Sequence, residues 1–537
     1  MRIQKNILLL LLLITVVSGR GFSQINLEES EEINFSIPKS IFFGGEKIWI
    51  KATVVQNEIP VQSKVLYAEL LNRDNESVAL AKMPLQVGEA FNYLLIPDNL
   101  PSDNYLLRVF TRISPYQNLE TGLVQQFVTV FNRQVPPEVV PERQVIDKGE
   151  TPSSSVFTLS SRQLAKGENL TIDLSDQGSV EEVKVGFWNP FLEDQDIIHS
   201  SEIYESLESR DVVPELFGHI IEAEIENSEI DTTQLYYLSV HGEKSALFTD
   251  RPDANGRIFI DAGGIRNWNY MVAQSDGNKS LLDFYIVSPA PVTQFQSDFI
   301  IPELKISPED QPFLQELLKG GQVEGYFVQS FEANNLPVVT GFVEDIAYQL
   351  DDYTRFENVE TVIKEYVPEV SVKTIQKKKE FRVINSLRTY AFDENPLMLV
   401  DAMPVFDSDQ LAKFDPKEFK SLEILTRQFY LNEEELSGVI SFSSYNNDFG
   451  GYPIPSNGIY LDYQGILPTI ESSEELFDGP KSTDKIMDWR TVLYWSVTQK
   501  DQEIPSKISL KIPDLAGFYQ VSIKSNGQIY QSIVEVN

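Results

Sequence analysis

The chain has 537 residues, of which 42% are hydrophobic and 11% aromatic, a composition typical of a folded protein with more than one core. It carries 80 acidic against 44 basic residues, a net charge of −36, which disfavours nucleic acid and anionic lipid as partners. It contains no cysteine, which excludes disulfides, thiol nucleophiles and thiolate metal sites.

The N-terminus has the order of a secretory signal. Arg2 and Lys5 precede an apolar run at 7–17, and mostly small or polar residues follow as far as 24. The run is about half the length that a membrane-spanning helix needs, and no later run approaches that length. We predict a signal peptide over 1–23, export to the periplasm or the outer membrane, and no membrane span in the mature chain. A lipoprotein is excluded because no cysteine can carry the lipid.

The next region, 24–134, reads as one antiparallel β-sandwich. Segments rich in β-branched and aromatic residues alternate with turn-forming clusters, which is typical of short strands. The predicted strands are 46–55, 64–72, 104–112 and 125–132.

The following segment, 135–155, contains four prolines, and we interpret it as a stiff linker. Strand patterns resume over 156–302 and predict one or two further β-sandwich domains. We interpret 303–355 as a connecting segment with a helix. Ser307 and Asp310 form a capping box for it, and the glycines at 320–321 are expected to end it.

The pattern changes over 356–450. Helical stretches at 358–367 and 417–427 alternate with strands at 397–403 and 438–444, which predicts a small α+β domain. The segment 451–537 returns to strands and predicts a C-terminal β-sandwich.

No motif indicates catalysis. The three histidines, His199, His219 and His241, lack the spacing that aims two imidazoles at one metal ion, and we expect surface or hydrogen-bonded structural histidines. No G-x-S-x-G elbow and no phosphate-binding glycine pattern is present. We therefore predict no catalytic residue, no cofactor and a protein that is not an enzyme; a Ser–His–Asp hydrolase remains the alternative, since its members can lie far apart in sequence.

The best metal candidate is Asp253 with Asn255, in a segment that partly matches a calcium loop. Arg251 stands where the first ligand belongs, and Asn-Gly is also the commonest hairpin turn. We predict the turn and no metal site.

Two surface features could bind a partner. A basic island in this acidic chain could dock an acidic partner, but a solvated loop is the favoured interpretation. The island contains Lys377, Lys378, Lys379 and Arg382. Aromatic residues around Trp188 or Trp268 could form a platform for a glycan.

The segments 42–55 and 92–112 resemble an MG2 domain, the macroglobulin-type sandwich of α-2-macroglobulins and of many Bacteroidetes envelope proteins. The resemblance lies in the glycine-then-strand opening at 45–51 and in the hairpin at 96–111. Macroglobulins that trap proteases covalently use a cysteine thioester, which this chain cannot form.

The segment 395–446 is similar to the plug domain of TonB-dependent outer-membrane receptors. In that family a D-G-x-P-like turn precedes an I-x-S-I-E-V-L segment and a G-V-I-x-I-x-T strand. Here the turn is at 401–405, with Ala402 where glycine is usual, and the other two segments are at 419–425 and 438–444. The residues that match the motif are Asp401, Pro404, Val405, Glu423 and Gly438.

Such a receptor needs a barrel of about 22 strands, and too few residues follow the plug-like segment to build one. The segment 488–497 resembles the terminal domain of Bacteroidetes proteins that join MG2 and plug-like modules without a barrel. The resemblances imply a mainly β fold: tandem immunoglobulin- or macroglobulin-like β-sandwiches plus one small α+β plug-like domain.

We therefore expect a non-catalytic scaffold or interaction protein, periplasmic or associated with the outer membrane, in a transport or assembly complex. The expected partner is an outer-membrane β-barrel or another subunit of an envelope complex. The alternative is a soluble glycan- or peptide-binding protein, and a hydrolase is a third reading.

Overall fold

The computed structural model describes residues 29–143, 146, 156–174, 180–192, 198–226, 229–279, 281–282, 284–327, 342–432, 434–470, 477, 487–498 and 504–537. The predicted signal peptide lies outside the described residues. Within them, no helix is long and apolar enough to cross a membrane. The fold is mainly β, with β-sandwiches and one small α+β domain.

The first sandwich covers the region with the MG2-like pattern. Its strands are β1 (Glu32–Ser36), β2 (Ile41–Phe43), β3 (Lys47–Gln56), β4 (Ile59–Pro60), β5 (Val65–Leu71), β6 (Ser77–Pro84), β7 (Glu89–Leu95), β8 (Asp103–Phe110) and β9 (Leu123–Phe131). One sheet joins β1, β3, β4 and β7, and the other has the order β2-β9-β8-β5-β6. Short helices α1 (Ser114–Gln117) and α2 (Leu119–Gly122) connect β8 to β9. Alternate residues such as Ile48, Ile50, Leu107 and Val109 fill the core between the sheets.

The second sandwich is assembled from two distant parts of the chain. The early part supplies β11 (Phe157–Leu159), β12 (Gln163–Leu164), β13 (Asn169–Leu174) and β14 (Val180–Phe187), and the late part supplies β35 (Val492–Val497), β36 (Lys507–Lys511), β37 (Gly517–Ser525) and β38 (Gln528–Val536). Its sheets have the orders β11-β13-β36 and β12-β38-β37-β14-β35. In the register, Leu170 pairs with Leu510.

The third sandwich lies between these two parts in sequence. It contains β16 (Ile220–Ile225), β17 (Tyr236–Gly242), β18 (Ala246–Asp250), β19 (Arg257–Asp261), β20 (Trp268–Ser275), β21 (Phe284–Val287) and the late strand β34 (Ile459–Asp462). Its sheets have the orders β19-β16-β21 and β18-β17-β20-β34.

The α+β domain is in turn inserted between β21 and β34. Its elements are β24 (Ile346–Gln349), α5 (Val359–Tyr366), β25 (Val370–Ile375), β26 (Lys378–Asn385), β27 (Tyr390–Ala391), β28 (Leu397–Val400), β29 (Met403–Pro404), α6 (Ser408–Lys413), β30 (Phe419–Leu425), β31 (Phe429–Leu431), β32 (Glu434–Leu436) and β33 (Val439–Ser444). The central sheet has the order β24-β30-β33-β28-β29, and helices α5 and α6 cover one of its faces.

Connecting segments pack against the first two sandwiches. They contain β10 (Glu138–Val139), α3 (Ser200–Ile203), β15 (Tyr204–Leu207), β22 (Thr293–Phe295), β23 (Lys305–Ile306) and α4 (Gln311–Phe327). β10 pairs with β23 and β15 with β22. Part of the predicted linker 135–155 is therefore a paired strand.

The strand pairing differs from the division made by sequence. Strands of 156–302 and 451–537 share sheets in two sandwiches, and β24, from the predicted connecting segment, pairs with β30. Hydrophobic alternation identifies a strand, but it does not say which strand lies beside it.

Two predicted elements were wrong. The segment 417–427 is not a helix, because Phe419–Leu425 forms the strand β30 in the middle of the sheet. The glycines at 320–321 do not end the helix α4, which continues to Phe327. The capping box at its start is confirmed: the Ser307 N–H donates to Asp310 Oδ2 at 2.8 Å.

Candidate functional site

A tight turn after β28 carries the first motif residues. Asp401 and Ala402 have φ of +47° and +66°, the left-handed region that strains a residue with a side chain. The Asp401 carboxylate accepts hydrogen bonds from the backbone N–H groups of Ser444 at 2.7 Å and Phe449 at 2.8 Å, and from the Ser444 hydroxyl at 2.6 Å. Burial raises the pKa of Asp401, and these donors act in the opposite direction. Asp401 thus ties the end of β28 to the end of β33.

The neighbouring motif residues shape the backbone and the core. The Pro404 carbonyl accepts from Gln274 Nε2 at 3.2 Å, and Val405 is buried in the core of the α+β domain. Gly438 has φ of +87°, and a Cβ there would lie 2.7 Å from the Leu425 carbonyl oxygen. A side chain at Gly438 would therefore disturb the start of β33.

Glu423 belongs to a polar group on one face of the central sheet. The register sets it opposite Ser441 and sets Ser421 opposite Ser443. On the other side of β30, Gln349 of β24 pairs with Ser421. Residues two apart on a strand share a face, so these five side chains lie together. We call them the polar basin: Gln349, Ser421, Glu423, Ser441 and Ser443.

The polar basin is the floor of an open cavity of about 560 Å³. The loop 242–245 of the third sandwich and the loop 445–447 form its walls, and Asp401 and Ala402 lie at one end. The volume is within the range of small-molecule and side-chain pockets.

The rest of this sheet face is apolar and packs on the third sandwich. Leucines and valines beside the basin contact β17, β18 and the residue before β17; the cluster includes Leu397, Leu399, Leu425, Val439, Leu235, Tyr237 and Leu247. Polar contacts add to it: Tyr270 donates to the Asn447 carbonyl oxygen at 2.7 Å, and Asn432 Nδ2 lies 3.0 Å from Thr249 Oγ1. The α+β domain is thus fixed to the third sandwich by half of its sheet, while the polar half stays open.

Glu423 lacks a cationic partner in the part of the chain that the structure describes. Burial raises its pKa, and the negative charge of Glu344 raises it further. Ser421 and Ser441 are 8% and 7% exposed, and neither hydroxyl makes a hydrogen bond to a described residue. The polar basin therefore presents a carboxylate and hydroxyl groups that can accept hydrogen bonds from a ligand.

The basic island lies on the hairpin of β25 and β26. Lys377 and Lys378 are exposed at its tip. Lys379 Nζ instead lies 2.7 Å from Glu360 Oε1, and Arg382 is buried and paired with Glu380. The four basic residues therefore do not form one exposed cluster.

The segment with Asp253 and Asn255 is a turn between β18 and β19. Asp253 Oδ1 accepts from the N–H groups of Asn255 at 2.8 Å and Arg257 at 3.0 Å, and Gly256 has φ of +84°. The Asp253 carboxylate also pairs with the Arg257 guanidinium. Among the described residues, no cluster of three His, Asp or Glu side chains is placed to hold a metal ion.

A second polar group, at the junction of the first and third sandwiches, was not predicted. His219 Nδ1 lies 2.9 Å from Glu215 Oε1, and its Nε2 lies 2.7 Å from the Tyr463 hydroxyl. The Tyr67 hydroxyl donates to Glu215 at 2.8 Å, and Arg112 Nη1 lies 3.7 Å from the same carboxylate. We call these five residues the buried junction.

Burial decides the protonation of the buried junction. It lowers the pKa of His219 to about 4, so the imidazole is neutral at pH 7. Since a carboxylate can only accept, Nδ1–H donates to Glu215 and Nε2 accepts from Tyr463. His219 is 1% exposed. The arrangement joins the first and third sandwiches and is closed to a substrate.

The remaining predicted positions are also placed. His241 is buried against Tyr270 and its pKa is lowered to about 3 by burial, whereas His199 is exposed with Nδ1 3.5 Å from Glu120. Trp188 and Trp268 are 7% and 1% exposed, so neither ring offers a platform to a glycan.

Asp401 and Glu423 were predicted as motif residues from the sequence, but the serines beside them were not. The alternation in 419–425 and 439–443 contains the signal, because it puts Ser421, Glu423, Ser441 and Ser443 on one face once both segments are strands. The mistaken helix at 417–427 hid it. Nothing local in the sequence links the members of the buried junction.

No protein-family model matches the chain, and the comparison with curated proteins gives no match. Among solved structures, a Salmonella alpha-2-macroglobulin reacted with methylamine is similar at 9% identity and a TM-score of 0.16, over 96% of this chain and 24% of that one. The native conformation of an E. coli alpha-2-macroglobulin is similar at 8% identity and a TM-score of 0.16, over 96% and 23%. The two tandem V-type regions of VCBP3, a v-region-containing chitin binding protein, follow at 9% identity and a TM-score of 0.13, over 45% and 92%. The chain spans about a quarter of the length of the macroglobulins it matches, and such low scores carry no argument about function.

Proposed function

We propose that this protein is a non-catalytic scaffold of a bacterial envelope, periplasmic or outer-membrane-associated, and a subunit of a transport or assembly complex. The observation that carries the proposal is the way in which the α+β domain packs on the third sandwich. Half of its sheet face is packed on the third sandwich, and the polar half opens into a cavity. A domain held in this way presents an interaction surface in a defined orientation.

The sandwiches support the proposal by forming a continuous frame. Arg112 pairs with Glu222 across the junction of the first and third sandwiches, and Arg108, paired with Glu69 at 2.6 Å, donates to the Pro291 carbonyl of a connecting segment at 2.9 Å. These charged side chains are buried, so separating the domains would expose them or leave some of them without a partner. These buried contacts join the first sandwich to the third sandwich and to a connecting segment, as a scaffold of domains in fixed positions requires.

The partner that we propose is an outer-membrane β-barrel or another subunit of an envelope complex. The α+β domain would meet it through the polar basin, with Lys377 and Lys378 at the hairpin tip as a second contact. The acidic remainder of the chain favours a partner with a basic surface.

Site-specific photocrosslinking in the producing cells tests this function. A photoreactive phenylalanine analogue replaces Tyr445, which is 46% exposed at the wall of the cavity, or Val87, a control position that is 76% exposed on the first sandwich. We expect an envelope protein crosslinked from position 445 and not from position 87, in the membrane or periplasmic fraction. Recovery of the chain from the cytoplasm, or crosslinks to no envelope protein from position 445, would contradict the proposal.

A further inference from the structure

Glu423 is the acidic side chain of the polar basin, and the residues directly paired with it are small. Glu423 faces Ser441 on one neighbouring strand and Ala347 on the other. Ser421 and Ser443 stand one step along the same face. Directly paired side chains are about 5 Å apart, so the carboxylate rises from a floor of small residues with hydroxyl groups within reach.

Two of these hydroxyls line the open cavity. Most of each serine is buried, but Ser421 and Ser441 line the cavity, where their hydroxyl groups are open to water or a ligand. Any group that donates hydrogen bonds here and carries positive charge would satisfy the hydroxyls and the carboxylate together.

We propose that the polar basin binds a primary ammonium group, the side chain of a lysine on a protein partner. This inference rests on the proposed scaffold function and names the chemistry of the contact. An ammonium group has three donors, and one carboxylate oxygen with two serine hydroxyls provides three acceptors around it. The pKa of Glu423, raised by burial and by Glu344, falls when a cation binds.

Other ligand classes fit the basin less well. Calcium takes six to eight oxygen ligands with several carboxylates, and the basin contributes one. An anion would meet the charge of Glu423 with no paired cation to offset it. Lys420 and Lys244 also line the cavity, yet both are exposed and neither forms an ion pair with Glu423. The source of the ammonium group is a protein rather than a small molecule because the chain, at −36, attracts basic protein surfaces over their whole extent.

Ligand-observed saturation-transfer NMR on the full chain tests the inference. The probe is Nα-acetyl-lysine N-methylamide, and its matched control is the norleucine analogue, which has a similar shape without the ammonium group. We expect saturation of the lysine probe with a dissociation constant in the millimolar range and none for the norleucine analogue. Equal signals from both, or no binding of the lysine probe up to about 50 mM, would overturn the proposal.

Two variants locate the binding site. Glu423→Gln keeps the size of the side chain and removes its charge, and we expect at least about tenfold weaker binding with an unchanged melting temperature. Glu365→Gln, an exposed position on α5, is the control and should leave binding unchanged. Binding that survives Glu423→Gln would place the ammonium group elsewhere and refute the site. A polyamine that binds much more tightly than the lysine probe would refute the protein source.

The two proposals fail in distinguishable ways. If position 445 crosslinks to an envelope protein in the Glu423→Gln chain as well, while the lysine probe does not bind the unaltered chain, the ammonium site is wrong and the scaffold stands. If the probe binds through Glu423 but no envelope protein is crosslinked, the site stands and the scaffold is wrong.

Discussion

At the scale of single residues, His219 shows how burial makes a titratable group structural. Its ring stacks on Tyr463, with ring centroids 5.8 Å apart, and both of its nitrogens have partners. A proton on Nε2 would remove the bond from Tyr463 and place a cation near Arg112 and Lys82, the two cations that lower the pKa of His219. Glu215 acts in the opposite direction but is outweighed by burial.

This arrangement predicts a pH dependence of stability. The folded state holds His219 neutral down to about pH 4, whereas in the unfolded chain its pKa is about 6.5. Between these values the unfolded state binds more protons, so the stabilising contribution of His219 is full above about pH 6.5 and falls as the pH drops towards 4. In His219→Gln, the free energy of unfolding measured in urea should fall less steeply over this interval than in the unaltered chain.

His241 has the same sign of shift, but it is present in both proteins and cancels in the comparison. Parallel curves for the two proteins between pH 4 and 6.5 would show that His219 does not titrate differently in the folded state.

The hydroxyl of Tyr463 should contribute measurably to the free energy of unfolding. Tyr463→Phe removes the donor to His219 Nε2, 2.7 Å away, and leaves a buried acceptor without a partner. We expect a loss of about 1–3 kcal/mol in chemical denaturation. Tyr460→Phe is the control, because Tyr460 lies three residues away in β34 and is 48% exposed. Equal effects of the two substitutions would mean that the buried hydrogen bond is not what matters.

Ala402 occupies a position that suits glycine better. Its φ of +66° strains a side chain by about 1–2 kcal/mol, and glycine removes the strain at a smaller cost in unfolded-state entropy. Ala402→Gly should raise the melting temperature, with a gain of about 0.5–1 kcal/mol. Ala391→Gly, in the strand β27, should lower it instead. A decrease for Ala402→Gly would show that the turn tolerates Cβ without strain.

At the scale of elements, α4 shows packing overriding a local stop signal. The glycines at 320–321 lie inside the helix because other segments approach its backbone there. A Cβ on Gly320 would lie 2.5 Å from Thr491 Cγ2, and one on Gly321 would lie 2.4 Å from Glu46 Oε1. The same glycines that weaken the isolated helix thus allow it to lie against the first and second sandwiches.

A substitution in α4 separates the two effects. In an unconstrained helix Gly320→Ala would stabilise by about 1 kcal/mol, but the contact with Thr491 leaves no room. We expect a net loss of about 1–3 kcal/mol in thermal unfolding. Gln315→Ala, at an exposed position of the same helix, should change stability by less than about 0.5 kcal/mol. A stabilising Gly320→Ala would indicate that the packing at this helix is loose.

The elements differ in how far the sequence determines them. Strands such as β3, β8, β37 and β38 follow from alternation alone, and α5 from its period and its Asn358 cap. The strand β30 was mistaken for a helix because Phe419, Leu422 and Leu425 also fit helical spacing. Its position between β24 and β33 is what shows that this segment is a strand, and the polar basin depends on that pairing.

At the scale of the whole molecule, the order of domains along the chain is nested. The α+β domain interrupts the third sandwich, and the third sandwich interrupts the second. No local pattern encodes this, because β13 and β36 read as ordinary strands in two unrelated parts of the sequence. Their pairing is specified by complementary apolar faces in a common core, which includes Ile172 and Ile508.

Nesting makes a prediction about folding. In its described sheet β36 pairs only with β13, across more than three hundred residues of chain, so the amides that bond across this pair cannot be protected before both strands are present. In pulsed hydrogen exchange during refolding, these amides of both strands should gain protection in the same phase. The strands β8 and β9 are neighbours in sequence and need no such closure, so they should be protected in an earlier phase.

A truncated chain sharpens the same test. Ending the protein at residue 486 removes β35–β38, which supply three strands of the five-stranded sheet and one of the three-stranded sheet. Phe157, Leu170 and Ile172 would then lose their covering core, and the amides of β13 should exchange freely while those of β8 and β9 stay protected. If β13 is protected in the truncated chain, or ahead of β36 in the full one, the second sandwich is not held together by its late strands. If β13 is protected only when β35–β38 are present, the chain of the third sandwich and the α+β domain already lies between the two parts of the second sandwich when that sandwich closes.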